Sequence, residues 1–188
     1  MKKKLYSLTI LTATLLMVFM LTVQTEAASS SLVGYWKFDE GSGTTANDNS
    51  GNDNTGTLNN GPTWVDGKYG KALSFDGVND YVRVEASSSL DVTVQVTVET
   101  WVYPRAYDDS VGTNSFIIGR SNSNGGSIYI LATFSNGKVQ YAVNPVPDAR
   151  SSVATLPLNG WTHLAMTYDG AYIQLYINGT MDSSYAQS

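Results

Sequence analysis

Over most of the chain beyond residue 70, apolar and polar residues form short alternating segments separated by turn signals. In residues 72–75, Leu73 and Phe75 fall on one side and Ser74 on the other. Such a period of two is that of a strand with one buried face. Residues 81–84, 128–134, 139–143, 164–168 and 172–177 read as strands in the same way. Between and beside them stand the pairs Asp66-Gly67, Asp76-Gly77, Asn136-Gly137, Asn159-Gly160, Asp169-Gly170 and Asn178-Gly179. An Asx-Gly pair supplies the positive φ angles that tight hairpin turns require. Beyond residue 27 no segment shows a sustained helical stripe, so the pattern predicts an all-β domain of antiparallel strands. Its inward face is predicted to include Leu73, Phe75, Val82, Val98, Val102, Leu164, Met166, Ile173, Leu175 and Ile177.

The first residues are of another kind. Lys2, Lys3 and Lys4 precede an uncharged run from Leu5 to Thr25, and Thr25-Glu26-Ala27-Ala28 follows. This order reads as a secretory signal peptide over residues 1–27, cut after Ala27 or Ala28. The rival reading is an uncleaved membrane anchor, since the run reaches spanning length at about 20 residues. Its threonines and the immediate cleavage site favour removal, giving a secreted or cell-surface protein. There is no cysteine, so neither a disulfide framework nor lipidation on cysteine is available.

Removing residues 1–27 takes away Lys2, Lys3, Lys4 and Glu26. The remaining 161 residues then carry 15 acidic and 8 basic side chains, a net charge of −7. That length suits one well-buried domain. The acidic balance excludes a nucleic-acid binder, which needs a basic footprint for phosphates. It is compatible with neutral glycans and with calcium.

The segment Gly70-Lys71-Ala72-Leu73-Ser74-Phe75-Asp76-Gly77-Val78-Asn79-Asp80-Tyr81-Val82 resembles a signature of laminin G-like domains in the concanavalin A-like lectin/glucanase superfamily. Val33-Gly34-Tyr35-Trp36-Lys37-Phe38-Asp39-Glu40-Gly41 resembles the opening strand of that family, expected here over residues 32–38. Three later blocks, within residues 96–104, 160–168 and 173–179, match in the same order. The resemblance implies a two-sheet jelly-roll sandwich over residues 28–188. Relatives continue past the last Asn-Gly hairpin, so the resemblance also implies a domain missing its C-terminal strands.

Candidate chemistry is sparse. Glucanases of this fold place paired carboxylates on one strand. Here the corresponding Glu99 has Thr97 and Trp101 as same-face neighbours, with no second carboxylate at a two- or four-residue spacing. His163, the sole histidine, accompanies no nucleophile motif and reads as a residue packing at a strand start. No catalytic residue is assigned. Trp36, Trp64, Trp101 and Trp161 occupy family blocks where an aromatic packs structurally. Ligand contacts are instead expected from Arg120, Asn122, Asn124, Tyr129, Tyr141 and Asn144, a mix of planar rings and polar donors suited to hydroxyl-rich ligands. Ordinary solvated strand residues are the alternative reading of the same set.

Hard cations require several oxygens, which Asp39 and Asp48 offer together with the polar loop at Asn52 and Asp53. A structural calcium ion is expected there. Laminin G relatives hold calcium through an acidic residue in the loop matched here by Asn124-Gly125-Gly126-Ser127, which has no carboxylate. Asn178-Gly179-Thr180 fits a glycosylation sequon that the hairpin equally explains. The reading is an exported, non-catalytic, lectin-like carbohydrate-binding module. A protein-binding or adhesion module at the cell surface is the alternative, and a diverged glucanase or polysaccharide lyase is disfavoured by the missing pair. A membrane is expected as a partner only through an uncleaved leader.

Overall fold

Thirteen strands and one 3-10 turn, Ser88–Leu90, make up the regular structure of the described residues. The computed structural model describes residues 32–92, 94–107, 115–121, 127–144 and 149–186. The strands are β1 Thr45–Ala46, β2 Gly56–Asn59, β3 Thr63–Asp66, β4 Lys71–Ser74, β5 Tyr81–Val84, β6 Val96–Val102 and β7 Ser115–Ser121. They continue as β8 Ser127–Thr133, β9 Lys138–Val143, β10 Arg150–Thr155, β11 Thr162–Tyr168, β12 Tyr172–Ile177 and β13 Thr180–Ala186.

Two four-stranded sheets, ordered β10-β9-β8-β7 and β13-β12-β11-β6, pack face to face. All pairings are antiparallel. Alternation fixes which face is inward. In β11, Leu164, Met166 and Tyr168 are buried while His163, Ala165 and Thr167 point out. Register carries the inward face across neighbours: Met166 lies opposite Leu175 of β12 and Val98 of β6. From the other sheet come Leu131, Val139, Tyr141 and Val143, all within 1% of full burial. Each fully buried aliphatic chain of this kind contributes about 1.5–3 kcal/mol of transfer free energy. The Tyr141 hydroxyl meets Ser183 Oγ of β13 at 2.8 Å, a polar tie between the sheets.

Two smaller pieces precede the sandwich in sequence: a three-stranded sheet β1-β2-β5 and the ribbon β3-β4. Trp64 donates its indole N–H to the Gly43 carbonyl at 3.0 Å. The all-β antiparallel sandwich is as the alternation predicts. Seven of the ten predicted core positions pack in its interior: Val98, Leu164, Met166, Ile173 and Leu175 buried, Val102 and Ile177 partly so.

Three expectations need correction. Phe75 is 40% exposed, because β4 ends at Ser74 and the chain turns before Phe75 can continue the inward row. Tyr129 and Tyr141, expected on outward faces, are 7% and 0% exposed. They register with Val143 and Leu131 in the inward row of β8 and β9, and a partner for the buried Tyr141 hydroxyl offsets the loss of its hydration. The expected opening strand over residues 32–38 is not a strand; only Trp36 makes a bridge, to Asp48. Its backbone is taken up by side chains instead. Tyr35 N–H donates to Asp48 Oδ1, and the Asn52 and Asn54 side-chain amides donate to the carbonyls of Leu32 and Val33.

Candidate functional site

A cleft of about 240 Å³ opens where the β3-β4 ribbon meets the segment leaving β6. The corner between β2 and β3 supplies Asn60 and Gly61, whose φ angles of 67° and 113° swing the chain around the rim. Thr63 begins β3 and Ser74 ends β4. Phe75 and Asp76 follow, Asp80 stands just before β5, and Arg105 lies three residues beyond β6.

The stretch from Asp76 to Asp80 is a closed polar turn. Val78 N–H donates to Asp76 Oδ1 at 2.8 Å, and Asp76 N–H donates to Asp80 Oδ2 at 3.0 Å. Gly77, at φ 80°, permits the reversal. Asn60 Nδ2 donates to the Asn79 carbonyl at 2.7 Å, and Arg105 Nη2 to the Phe75 carbonyl at 2.6 Å. These bonds fix the walls from three separate elements. One atom is left over: Asp80 Oδ1 is buried and accepts no hydrogen bond from the described residues. A buried acceptor without a partner costs about 1–3 kcal/mol, which a ligand donor would recover once a small shift of the rim admits it. Beside it lie an aromatic ring, two hydroxyls, an amide and a guanidinium. Such a set can hold a compact ligand with an apolar C–H face and several hydroxyls.

The residues expected to bind ligand are not brought together there. Arg120 on β7 directs both Nε (3.0 Å) and Nη2 (2.5 Å) onto Asp91 Oδ1, so its donors serve an ion pair. Burial holds the Tyr129 phenol above its ordinary pKa, with nearby Arg120 opposing and Asp91 adding to the shift. Tyr129 and Tyr141 are core residues, as above. Asn144 is exposed just past β9, its N–H bonded to the Ile128 carbonyl at 2.7 Å. Asn122 and Asn124 lie outside the described residues. Sequence reasoning missed the cleft because it assigned Phe75 to the core and read Asp76-Gly77 as turn chemistry alone. The second aspartate, four residues on in a turn already closed by the first, was the available signal.

The donors expected to hold calcium are engaged elsewhere. Asp48 Oδ1 accepts from the Tyr35 and Ser50 amides, and Oδ2 from the Asn54 amide and the Ser50 hydroxyl, all at 2.8–2.9 Å. Burial raises its pKa, yet those hydrogen bonds together outweigh burial and hold the carboxyl below its ordinary value. Asp39 Oδ1 accepts the Lys71 amide at 2.9 Å. Among the described residues no three of His, Cys, Asp or Glu stand together. The arrangement fits a hydrogen-bonded staple and does not fit a calcium cage.

On the outer face of β6, Glu99 Oε2 lies 3.6 Å from His163 Nε2, and the His163 ring tilts against Trp101 at 5.2 Å. Glu99 has Thr97 and Trp101 beside it on that face, so this strand offers no carboxylate pair.

A laminin G family model of the concanavalin A-like lectin/glucanases superfamily matches residues 76–188. The chain belongs to this superfamily. No curated protein sequence matches it. Among solved structures, it is similar to domain 4 of AbnA, a GH43 extracellular arabinanase from Geobacillus stearothermophilus in complex with arabinotriose. That likeness has 21% identity and a TM-score of 0.59, over 84% of this chain and 76% of the other. A second similar structure is an S-layer domain-containing protein (residues 221–444) from Clostridium thermocellum, at 28% identity and a TM-score of 0.50, over 82% and 73% of the two chains. At these levels the first likeness concerns the lectin-like fold.

Proposed function

We propose that residues 28–188 form an exported, non-catalytic glycan-binding module that seats a sugar residue in the cleft. The observation that carries this reading is Asp80 Oδ1, a buried acceptor without a partner among the described residues, on a residue that lines the same cleft as the exposed Phe75. A sugar ring presents what the cleft lacks: hydroxyl donors for the carboxylate and a C–H face for the aromatic. Arg105, Asn60, Thr63 and Ser74 then orient the remaining hydroxyls. Membership of a superfamily of lectins and glucanases supports a glycan over other compact polar ligands. The arabinotriose bound to the Geobacillus domain makes arabino-oligosaccharides the first ligands to try. Export rests on the lysine-led apolar leader, residues 1–27, and agrees with an extracellular structural neighbour.

No catalytic role is assigned. Each aspartate of the cleft commits one oxygen to closing the turn, and the Glu99 strand offers no second carboxylate. The adhesion alternative draws on the S-layer neighbour and on the fold, which serves both roles equally.

The test is a glycan array on residues 28–188, followed by calorimetry with arabinotriose and the best array ligand. Asp80→Asn and Phe75→Ala should each weaken binding about tenfold or more, as expected when a buried polar partner or a stacking ring is removed. Unchanged affinity in both variants would remove the cleft from the binding site. An array with no ligand, alongside capture of a defined cell-surface protein, would favour adhesion.

A further inference from the structure

The exposed alternation of β6 does not stop where the strand ends. Glu99, Trp101, Tyr103 and Arg105 are all exposed, while Thr100, Val102 and Pro104 between them are half-buried. The row therefore runs on one face from the strand into the cleft, which Arg105 lines. Its Cα atoms are confined to a short path: four residues from Trp101 to Arg105 span at most about 14 Å. A second chain segment runs beside it in the same direction. Tyr69 meets Trp101 edge-on at 6.0 Å, and six residues later Phe75 accepts the Arg105 guanidinium at 2.6 Å through its carbonyl.

At the far end of this seam the rings are accessible. Tyr69 is 73% exposed, Trp101 39% and Tyr103 43%. Tyr103 is braced by Trp161, edge to face at 5.5 Å. Lys68 Nζ stands over both the Trp101 ring at 5.4 Å and the Tyr69 ring at 5.9 Å, and makes no ion pair among the described residues. Beside the rings, Glu99 Oε2 and His163 Nε2 face each other at 3.6 Å. Aromatics presented in sequence at an edge, ending in a polar pocket, offer successive apolar contacts to a chain of sugar rings, with a lysine donor beside them.

We infer that the ligand is an extended, linear polysaccharide, with one residue in the cleft and the following rings lying along Tyr103, Trp101 and Tyr69. This rests on the glycan reading above and adds to it a length requirement and a second, aromatic station.

The experiment compares ligand lengths. Wild-type protein is first run in native gels containing soluble linear arabinan, xylan or mixed-linkage β-glucan. The retained polymer is then titrated by calorimetry beside its trisaccharide and monosaccharide. The polymer should bind at least about tenfold more tightly per site than the monosaccharide. In Tyr69→Ala and Trp101→Ala that ratio should fall severalfold to tenfold, the size expected for losing one stacked ring. Tyr69 is so exposed that its variant reports binding without a folding defect, to be checked by an unchanged melting curve. Equal polymer and monosaccharide affinities in the wild type, or an undiminished ratio in both variants while Phe75→Ala abolishes binding, would overturn the track and leave the cleft standing. Binding lost in Trp101→Ala but intact in Phe75→Ala would overturn the continuous track in favour of the aromatic station alone. Failure of every polymer and fragment to bind would overturn the glycan reading itself, and this inference with it.

Discussion

The two halves of the described domain are held together by different forces. From Val96 onward, two sheets bury a shared apolar interior, and every residue of the core cluster comes from this half. From Leu32 to Val92, the buried apolar side chains are Ala46, Pro62 and Leu90, and order comes largely from side chains bonding the backbone. Asp48 ties Tyr35, Ser50 and Asn54; Asn54 ties Val33; Asp39 ties Lys71; Asp80 ties Asp76. Apolar burial is non-directional and scales with area. A carboxylate accepting several amides is directional and sensitive to its charge state. The cleft sits on the polar half and borrows only Arg105 from beyond β6. Its walls are therefore set by hydrogen-bond geometry, with the sandwich acting as a base.

The strongest way to separate the halves is to remove a core side chain. Leu175 is 0% exposed, opposite Met166 on one side and Ser183 on the other. Leu175→Ala should lower unfolding free energy by about 2–5 kcal/mol in denaturant titration, the range for a buried leucine whose site cannot collapse fully. A loss well below 1 kcal/mol would mean that the sandwich interior is not the main source of stability.

This core half was the legible half. Alternation in residues 164–168 and 172–177, bounded by Asx-Gly pairs, specifies strand, face and turn together, and β11 and β12 follow it. Tyr129 and Tyr141 were misplaced because a tyrosine in an alternating strand fits either face; the deciding fact, Ser183 within reach of the Tyr141 hydroxyl, lies 42 residues away. The polar half was harder for a different reason. A sequence shows Asp48, Asn52 and Asn54 as a polar loop, and nothing in their spacing says whether their oxygens face a cation or the backbone of residues 32–35. The cleft shared that ambiguity, since Asp76 and Asp80 serve the turn and the pocket at once.

A smaller loss is expected from the polar half. Asp48→Ala should cost about 1–3 kcal/mol, since it strips one charged acceptor from three amides and a hydroxyl in a half-exposed loop. The effect should depend on pH. The folded carboxyl titrates below its unfolded value, so its contribution is present above about pH 4 and is lost as pH falls through the folded value. Wild type and Asp48→Asn should therefore converge in melting temperature on acidification below about pH 4. Parallel curves would show that Asp48 stabilises by shape and not by charge.

Smaller again is the polar tie inside the apolar half. Burial pushes the Tyr141 phenol up to about 12, against the opposing effect of its hydrogen bond with Ser183. Its neutral form is thus favoured in the fold, and its contribution is present below about pH 10 and lost as pH rises from there through about 12. Tyr141→Phe should cost about 1 kcal/mol at neutral pH, the net value of one such bond. It should also flatten part of the alkaline decline in stability. A loss above about 3 kcal/mol at neutral pH would make the hydroxyl a central element of the core.

The smallest expected effect concerns calcium, an external agent that could stiffen the polar half. A cation bound only by the folded state raises stability through mass action, by about 2.7 kcal/mol at a hundredfold excess over its Kd. The donors it would use are already directed at protons: both oxygens of Asp48 at amides and a hydroxyl, and Oδ1 of Asp39 at the Lys71 amide. A cation there would have to displace these bonds and repel the N–H dipoles that make them, so its gain would be offset by the loss of the staple. Melting curves in excess calcium and in chelator, at fixed ionic strength, should therefore superimpose. A calcium-dependent rise abolished by Asp48→Asn would show that the loop rearranges around a metal. The polar half would then owe its order to an ion and not to its own backbone.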